Sequence, residues 1–430
     1  MGDWRLLLRF ATKSPKKSGI RVALETKTPI NRYSPLGMDK TFTVIQRNIR
    51  LDLPHRTYFT SGAFEPSNPV LGDLLKPPVE GRRTKVLVYV DEGLVSRGGG
   101  LLFQIEGYFQ DYAKHLDLVA APITVPGGEE IKNEWKWVQS IWTAINENAL
   151  CRHSFVLAVG GGAMLDAVGF AAATAHRGVR FVRLPSTTLS QGDGGVGVKN
   201  AVNFFSKKNW VGTFHVPDAV VNDIELVRSL PEGQKRAGYI EAVKVALIRD
   251  RSFYEFIEEN AFSLSQFEEH AMEEVIRRSA ALHLQHIATS GDPFEKGSAR
   301  PLDFGHWIAH KLEQVSGFDI GHGDAVAIGI VADLLYSVKV GLLDERTAER
   351  IIKLIRNLGF NLYDEHLNQR SSSGEWIILE GLEEFREHLG GQLTITLIQG
   401  IGQGLEVNSM DRNLVLEVLD DMRENLRAAS

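Results

Sequence analysis

The chain has 430 residues, of which 43% are hydrophobic and 24% charged, and its formal charge is −6 at an isoelectric point near 6.1. That length allows two well-formed cores, and the composition is ordinary for a soluble globular protein. The acidic balance argues against general nucleic-acid binding, and no apolar run approaches the roughly 20 residues of a membrane span. The single cysteine, Cys151, excludes an internal disulfide or a CxxC metal site and fits a cytoplasmic protein.

Residues 1–39 hold more Arg and Lys than acids and read as an N-terminal extension. Asp3 and the lack of a serine-rich stretch speak against a transit peptide, and Leu6 breaks the myristoylation pattern after Gly2. Val86–Val90 is a β-branched run ending at Asp91, the signature of a buried parallel strand. Leu101–His115 predicts a helix, Leu116–Thr124 a strand, and Glu130–Leu150 a helix through the spacing of Trp135, Val138, Ile141, Trp142 and Ile145. Phe155–Val159 predicts a strand that runs through Gly160-Gly161-Gly162 into a helix ending near His176, and Val179–Leu184 a further strand. Strands alternating with helices indicate a doubly wound parallel sheet over residues 40–229.

Past Ser229 the pattern becomes helical: Gly233–Ile248, Ser252–Asn260, Ser263–Ile287, Pro301–Gln314, Asp324–Lys339 and Glu345–Asn357. Pro231 suits a helix start, so the hinge falls at Ser229–Glu232. The expected fold class is an α/β N-terminal dinucleotide-binding domain (40–229) plus a mostly α-helical C-terminal domain (230–430). A boundary of that kind forms a cleft suited to ligands.

The turn Gly160-Gly161-Gly162, followed by Asp166, suits either a dinucleotide pyrophosphate at a helix N-terminus or a plain tight turn; it is not GxGxxG. Asp91 reads as a ribose-binding carboxylate or as a helix N-cap. Glu129 and Lys132 read as ligand contacts or as a first-turn charge pair. His306 and His310, four apart, share one helical face, His322 precedes another helix, and Glu241 is a carboxylate in an apolar stretch. Histidines with a carboxylate suit zinc, and satisfied core histidines are the other reading. In the segment 193–209, Asp193, Lys199, Asn200, Asn203, Lys208 and Asn209 crowd a loop in which neither helix nor strand is favoured, and a bound anion would account for it.

In this order, these blocks resemble the sugar phosphate cyclase superfamily, the dehydroquinate synthase-like proteins, over about Asp91 to Leu397. The resemblance implies NAD, a catalytic divalent metal (zinc or cobalt), a small-molecule sugar phosphate, no nucleic-acid or membrane partner, and a homodimer. It implies NAD contacts at Asp91, Glu129, Lys132, Gly161, Gly162, Asp166, Thr187 and Thr188. It assigns the metal to Glu241, His306 and His322, and the substrate and its phosphate to Asp193, Lys199, Lys208, Asn209, Lys244 and His310, with Arg177 reaching a partner's site.

Departures from dehydroquinate synthases select within the superfamily. Those enzymes carry Asn where this chain has Asp303, Lys where it has Gln285, an arginine one register away from Arg300, and Asp-Lys-Lys where it has Arg386-Glu387-His388. A substrate carboxylate needs such cations, so the expected substrate lacks one, as sedoheptulose 7-phosphate does. Arg300-Pro301-Leu302-Asp303-Phe304-Gly305-His306-Trp307 with His388 is most similar to the 2-epi-5-epi-valiolone synthases. In them transient oxidation, phosphate elimination, reduction and intramolecular aldol closure follow in turn, and here Asp303 and His388 would steer stereochemistry. The alternatives are a 2-epi-valiolone synthase, a 3-dehydroquinate synthase, a polyol dehydrogenase, or a non-catalytic NAD-binding regulator.

Overall fold

The computed structural model describes residues 45–426 apart from 46, 50, 78, 80, 206, 290–302 and 389–390. The expected extension, 1–39, and Arg300 lie outside the described residues.

In chain order the strands are β1 (Thr57–Thr60), β2 (Thr84–Asp91), β3 (Leu116–Leu118), β4 (Ile123–Val125), β5 (Phe155–Gly160), β6 (Arg180–Pro185), β7 (Lys199–Phe204), β8 (Lys207–Phe214), β9 (Ala219–Asp223), β10 (Ile395–Gly400) and β11 (Gln403–Val407). Seven of them form one parallel sheet in the order β1-β9-β6-β5-β2-β3, with β4 also paired to β2. Successive side chains in β2 and β5 point to opposite faces. Val86, Val88, Val90, Phe155, Leu157 and Val159 enter one core, while Leu87, Tyr89, Val156 and Ala158 enter the other. Burial on both faces explains why these strands read as unbroken apolar runs. The chain leaves β2 for β3 and β4 on one side and returns as β5 on the other. That reversal opens a crevice at the carboxyl ends of β2 and β5, where α/β sheets bind ligands.

The helix pattern holds with local breaks. The expected strand 116–124 is two short strands, and the helix 130–150 divides at Glu134, whose backbone is extended, into Glu130–Asn133 and Trp135–Glu147. Phe267, at φ +58, interrupts the long helix expected over 263–287, giving Ala261–Ser265 and Glu269–Thr289. The segment expected to be a structureless polar loop is the antiparallel hairpin β7–β8, in register Val202 to Val211 and Lys199 to Phe214. Val202, Phe204, Trp210, Val211 and Phe214 supply the β-branched and aromatic residues that outweigh its polar ones. The helical half also carries a hairpin the periodicity did not show, β10–β11, with Ile395, Leu397 and Ile398 buried.

The helices Glu232–Arg249, His306–Val315 and His322–Lys339 meet around a core that includes Tyr239, Trp307 and Ile330. Two glycines permit the closest approach. A Cβ on Gly329 would lie 2.0 Å from the Gly305 carbonyl oxygen, and Gly305 itself turns at φ +78. The chain can therefore enter the His306 helix directly against the His322 helix.

Candidate active site and metal centre

At the sheet crevice, Asp91 ends β2 and caps the Glu92–Ser96 helix, with one oxygen accepting from the Gly93 N–H at 2.8 Å. Its other oxygen accepts from the Gly161 N–H at 3.3 Å. The capping reading is thus realised, and the same carboxylate touches the glycine turn. Gly161 caps the 13-residue helix Gly162–Thr174, and nothing lies within 4 Å of the side-chain direction at Gly162. The first-turn N–H groups of that helix have no intrahelical carbonyl to bond, and the space at Gly162 is open, an arrangement that suits a phosphate. Thr187 exchanges hydrogen bonds with Ser190 (2.7 Å between hydroxyls). Thr188 is buried, and its hydroxyl donates to the carbonyls of Gln234 (3.0 Å) and Lys235 (2.9 Å), tying the crevice to the Glu232–Arg249 helix.

Glu129 and Lys132 do not pair with each other. Lys132 is buried, binds Asp166 at 3.0 Å and also donates to Asn209. Glu129 accepts from Asn203 at 2.7 Å and lies 3.9 Å from Lys208. Asn203 in turn donates to Asn133 (2.7 Å) and accepts from the Asn209 N–H (2.9 Å). Residues that the sequence assigned to two different ligands are therefore cross-linked: the 129–133 turn, Asp166 and the hairpin form one polar network. Asn209 sits at φ +55, which asparagine tolerates better than most residues. Lys208 lies 4.9 Å over the Phe318 ring, in the turn that precedes His322.

The hairpin's root is held by Arg183, which is fully buried in β6. Its guanidinium donates to the carbonyls of Gly195 (3.1 Å), Gly197 (2.9 Å) and Lys199 (3.0 Å) and to the Asn200 side chain (2.7 Å). This clamp shapes the strand between Asp193 and Lys199. Asp193 lies in a single π turn, Ser190–Gly194, 2.7 Å from His283. Burial pushes its carboxyl up, but His283 and Lys244 outweigh that and hold it below the usual range.

Glu241, His306 and His322 converge, with one ligand atom from each within 4.8 Å of the others. The His306 and His322 Nε2 atoms lie 3.6 and 3.4 Å from Glu241 Oε1. Both Glu241 oxygens are buried and lack a hydrogen bond of good geometry, their neighbours being the Lys244 ammonium and the two imidazoles. A buried carboxylate left in that state, faced by two ring nitrogens, fits a divalent cation such as zinc or cobalt. Burial and the nearby Lys244 hold the His306 imidazole well below its ordinary value. Burial lowers His322 too, but Glu241 and Glu313, the latter 3.3 Å from Nδ1, push it up to about 10. Lys244 is held above the ordinary lysine range because Glu241 and Asp193 outweigh its burial. Asp303 is half-buried and adds to the negative field on Lys244.

His310 is exposed, its ring 5.4 Å from His306 and 6.3 Å from His322, beside the triad rather than within it. Lys199 opens β7 and is exposed. Arg177 is exposed at the far end of the Gly162–Thr174 helix, about 20 Å of helix rise from Gly162. His388 ends the helix Glu380–His388, and its side chain lies outside the described residues. Sequence reasoning missed Glu313, Arg183 and His283. Glu313 follows His306 by seven and so shares its helical face, and Arg183 is a charge inside an apolar strand; both were available signals. No pattern marks His283.

A family model described as 3-dehydroquinate synthase N-terminal matches residues 121–237, and one described as 3-dehydroquinate synthase C-terminal matches residues 238–372. The chain is 32% identical over 342 residues to the 3-dehydroquinate synthase of Cereibacter sphaeroides, covering 79% of this chain and 89% of that one. The corresponding figure for Thermoanaerobacter pseudethanolicus is 30% over 375 residues, covering 86% and 99%. Among solved structures, 2-epi-5-epi-valiolone synthase from Streptomyces hygroscopicus subsp. jinggangensis 5008, with NAD+ and Zn2+ bound, matches at TM-score 0.77 and 24% identity over 88% of this chain and 99% of that one. A 2-deoxy-scyllo-inosose synthase complexed with carbaglucose-6-phosphate, NAD+ and Co2+ matches at 0.69 and 22%, covering 85% and 96%.

Proposed function

We propose, for a chain that belongs to the 3-dehydroquinate synthase family, a sugar phosphate cyclase that converts sedoheptulose 7-phosphate to 2-epi-5-epi-valiolone and phosphate. The observation that carries the chemistry is the Glu241–His306–His322 cluster beside Lys244, on the helices next to the Asp91–Gly161 crevice. We assign NAD binding to residues 40–229 and the metal and most of the substrate to 230–430, with the substrate's phosphate reached by the hairpin of the first half. When bound, the ion supplies a Lewis acid for a substrate hydroxyl, and NAD a reversible hydride acceptor.

The chain's own groups do the rest. Gly162 and the first turn of its helix offer N–H groups to the cofactor's pyrophosphate, with Gly161, Asp91, Glu129, Lys132, Asp166, Thr187 and Thr188 around the rest of the cofactor. Lys199, Lys208 and Asn209 hold the sugar's phosphate, on a hairpin fixed by Arg183 at its root. Lys244, packed against Glu241 and within the field of Asp193, places an ammonium beside the cluster where developing oxyanions would be stabilised. His310 reaches the substrate from the exposed side of the cluster, and Asp193 contacts it from the π turn. Asp303 and His388 steer stereochemistry, and Arg300 and Arg177 complete substrate contacts, Arg177 in a partner's site of a cytoplasmic homodimer. Holding one flexible substrate through successive steps is the largest contribution of such a site.

The choice of substrate follows from charge. A substrate carboxylate near Asp303 would meet another carboxylate, and Arg386, the cation nearest the family's expected position, is exposed and paired with Glu383 at 2.6 Å. That arrangement favours a neutral polyol chain over the carboxylated seven-carbon substrate of the 3-dehydroquinate synthases. The test is incubation with sedoheptulose 7-phosphate, NAD and zinc or cobalt, with product identified by NMR. Phosphate release without net NADH is expected. Steady NADH accumulation would mark a dehydrogenase, and turnover of the carboxylated substrate alone would mark a 3-dehydroquinate synthase.

A further inference from the structure

The helix His322–Lys339 is apolar and buried through most of its length, with Val331, Ala332 and Leu334 all in the core. Asp333 interrupts that stretch and is 0% exposed. An isolated carboxylate in such surroundings is costly unless it does something an apolar residue could not. Its partners among the described residues are two donors from one short segment: the Gly305 N–H at 2.9 Å and the Trp307 indole N–H at 2.9 Å.

Those donors flank His306. The residue before it sits at φ +78, a turn that needs an outside partner for its N–H, and the residue after it is a fully buried tryptophan. Asp333 therefore grips the chain on both sides of the histidine. A third restraint comes from the ring itself, whose Nδ1 lies 3.0 Å from the Phe304 carbonyl. With Nδ1–H donating there, Nε2 points toward Glu241.

From this geometry we infer that Asp333 is a positioning residue for the metal centre, aiming His306 at the ion through Gly305 and Trp307. The inference rests on the metal reading of Glu241, His306 and His322. Outer partners of metal-binding histidines usually contact the ring; here the carboxylate acts one residue further out, on the backbone and the adjacent side chain.

The experiment is a cobalt titration of the full chain, followed by d–d absorbance, on wild type, Asp333→Asn, Asp333→Leu and Trp307→Phe, with thermal melts of each metal-free protein and NAD affinity as the reference. The two Asp333 variants should bind cobalt about 10- to 100-fold more weakly, with Trp307→Phe intermediate because one of the two grips remains. NAD affinity should not change. Asp333→Asn with wild-type cobalt affinity and a lowered melting temperature would overturn the inference, leaving Asp333 a purely structural group. Should Asp333→Leu fail to fold, Trp307→Phe at wild-type cobalt affinity would overturn it equally. A wild-type chain that takes up no cobalt would instead overturn the metal reading, and the inference with it.

Discussion

Replacing Gly329 by alanine tests whether one backbone contact aims the two histidines proposed as metal ligands. The new Cβ would stand 2.0 Å from the Gly305 carbonyl oxygen, more than about 1 Å inside ordinary contact distance. Both atoms belong to helix-bound backbone, so no flexible side chain can swing aside. The His306 and His322 helices must separate, at a cost of about 1–3 kcal/mol. The same shift carries His306 away from His322, whereas metal–ligand distances tolerate only about 0.2 Å. A tenfold loss of cobalt affinity is a modest expectation. At a cobalt concentration of about 100 times the wild-type Kd, the ion stabilises the wild type by about 2.7 kcal/mol and such a variant by about 1.4 kcal/mol. Urea unfolding of both proteins, with and without cobalt, measures each quantity. Gly107→Ala is the control: Gly107 lies inside the helix Leu101–Asp111 with nothing near its side-chain direction, so alanine there should stabilise by about 0.5–1 kcal/mol. Wild-type stability and cobalt affinity in Gly329→Ala would refute the idea that this approach sets the site.

Two further outcomes follow from charge placement. Lys132→Met strands Asp166 and removes a donor from Asn209, so urea unfolding should show a loss of about 1–3 kcal/mol, and calorimetry a weaker affinity for NAD. Arg350 hydrogen bonds hold the Glu258 carboxyl below its ordinary value, so the pair stabilises the fold above the unfolded glutamate pKa, near 4.3, and loses that contribution as pH falls through the folded value. Glu258→Gln should therefore cost about 0.5–1 kcal/mol at pH 7. The gap to wild type in urea melts should narrow as the pH falls below the unfolded glutamate pKa, and a gap that does not change with pH would contradict the assignment.

The sheet half of the fold was legible because strands buried on both faces, such as Val86–Val90 and Phe155–Val159, write themselves as apolar runs between glycine and acidic punctuation. Hairpin β7–β8 was not, since its polar residues face partners far away in sequence: Arg183 for Asn200, Glu129 for Asn203 and Lys132 for Asn209. Local composition cannot show who will satisfy an asparagine. The spacing of His306 and His310 correctly placed both on one face, but it could not say which ring meets Glu241. That depends on Gly305 and Gly329 and on how two helices cross. Asp333 and Arg183 were each visible as a charge inside an apolar stretch, while their targets were not.

Lys132 answers to Asp166 on one side and to Asn209 on the other. Anyone retooling this scaffold for another nucleotide or a longer phosphorylated sugar is therefore turning one of two meshed cogs. Randomising the arm from 199 to 214 alone would leave the buried Lys132 ammonium short of an acceptor, and randomising residues 127–133 alone would strip Asp166 and Asn209 of their shared donor. Productive clones should come from libraries that diversify both stretches together.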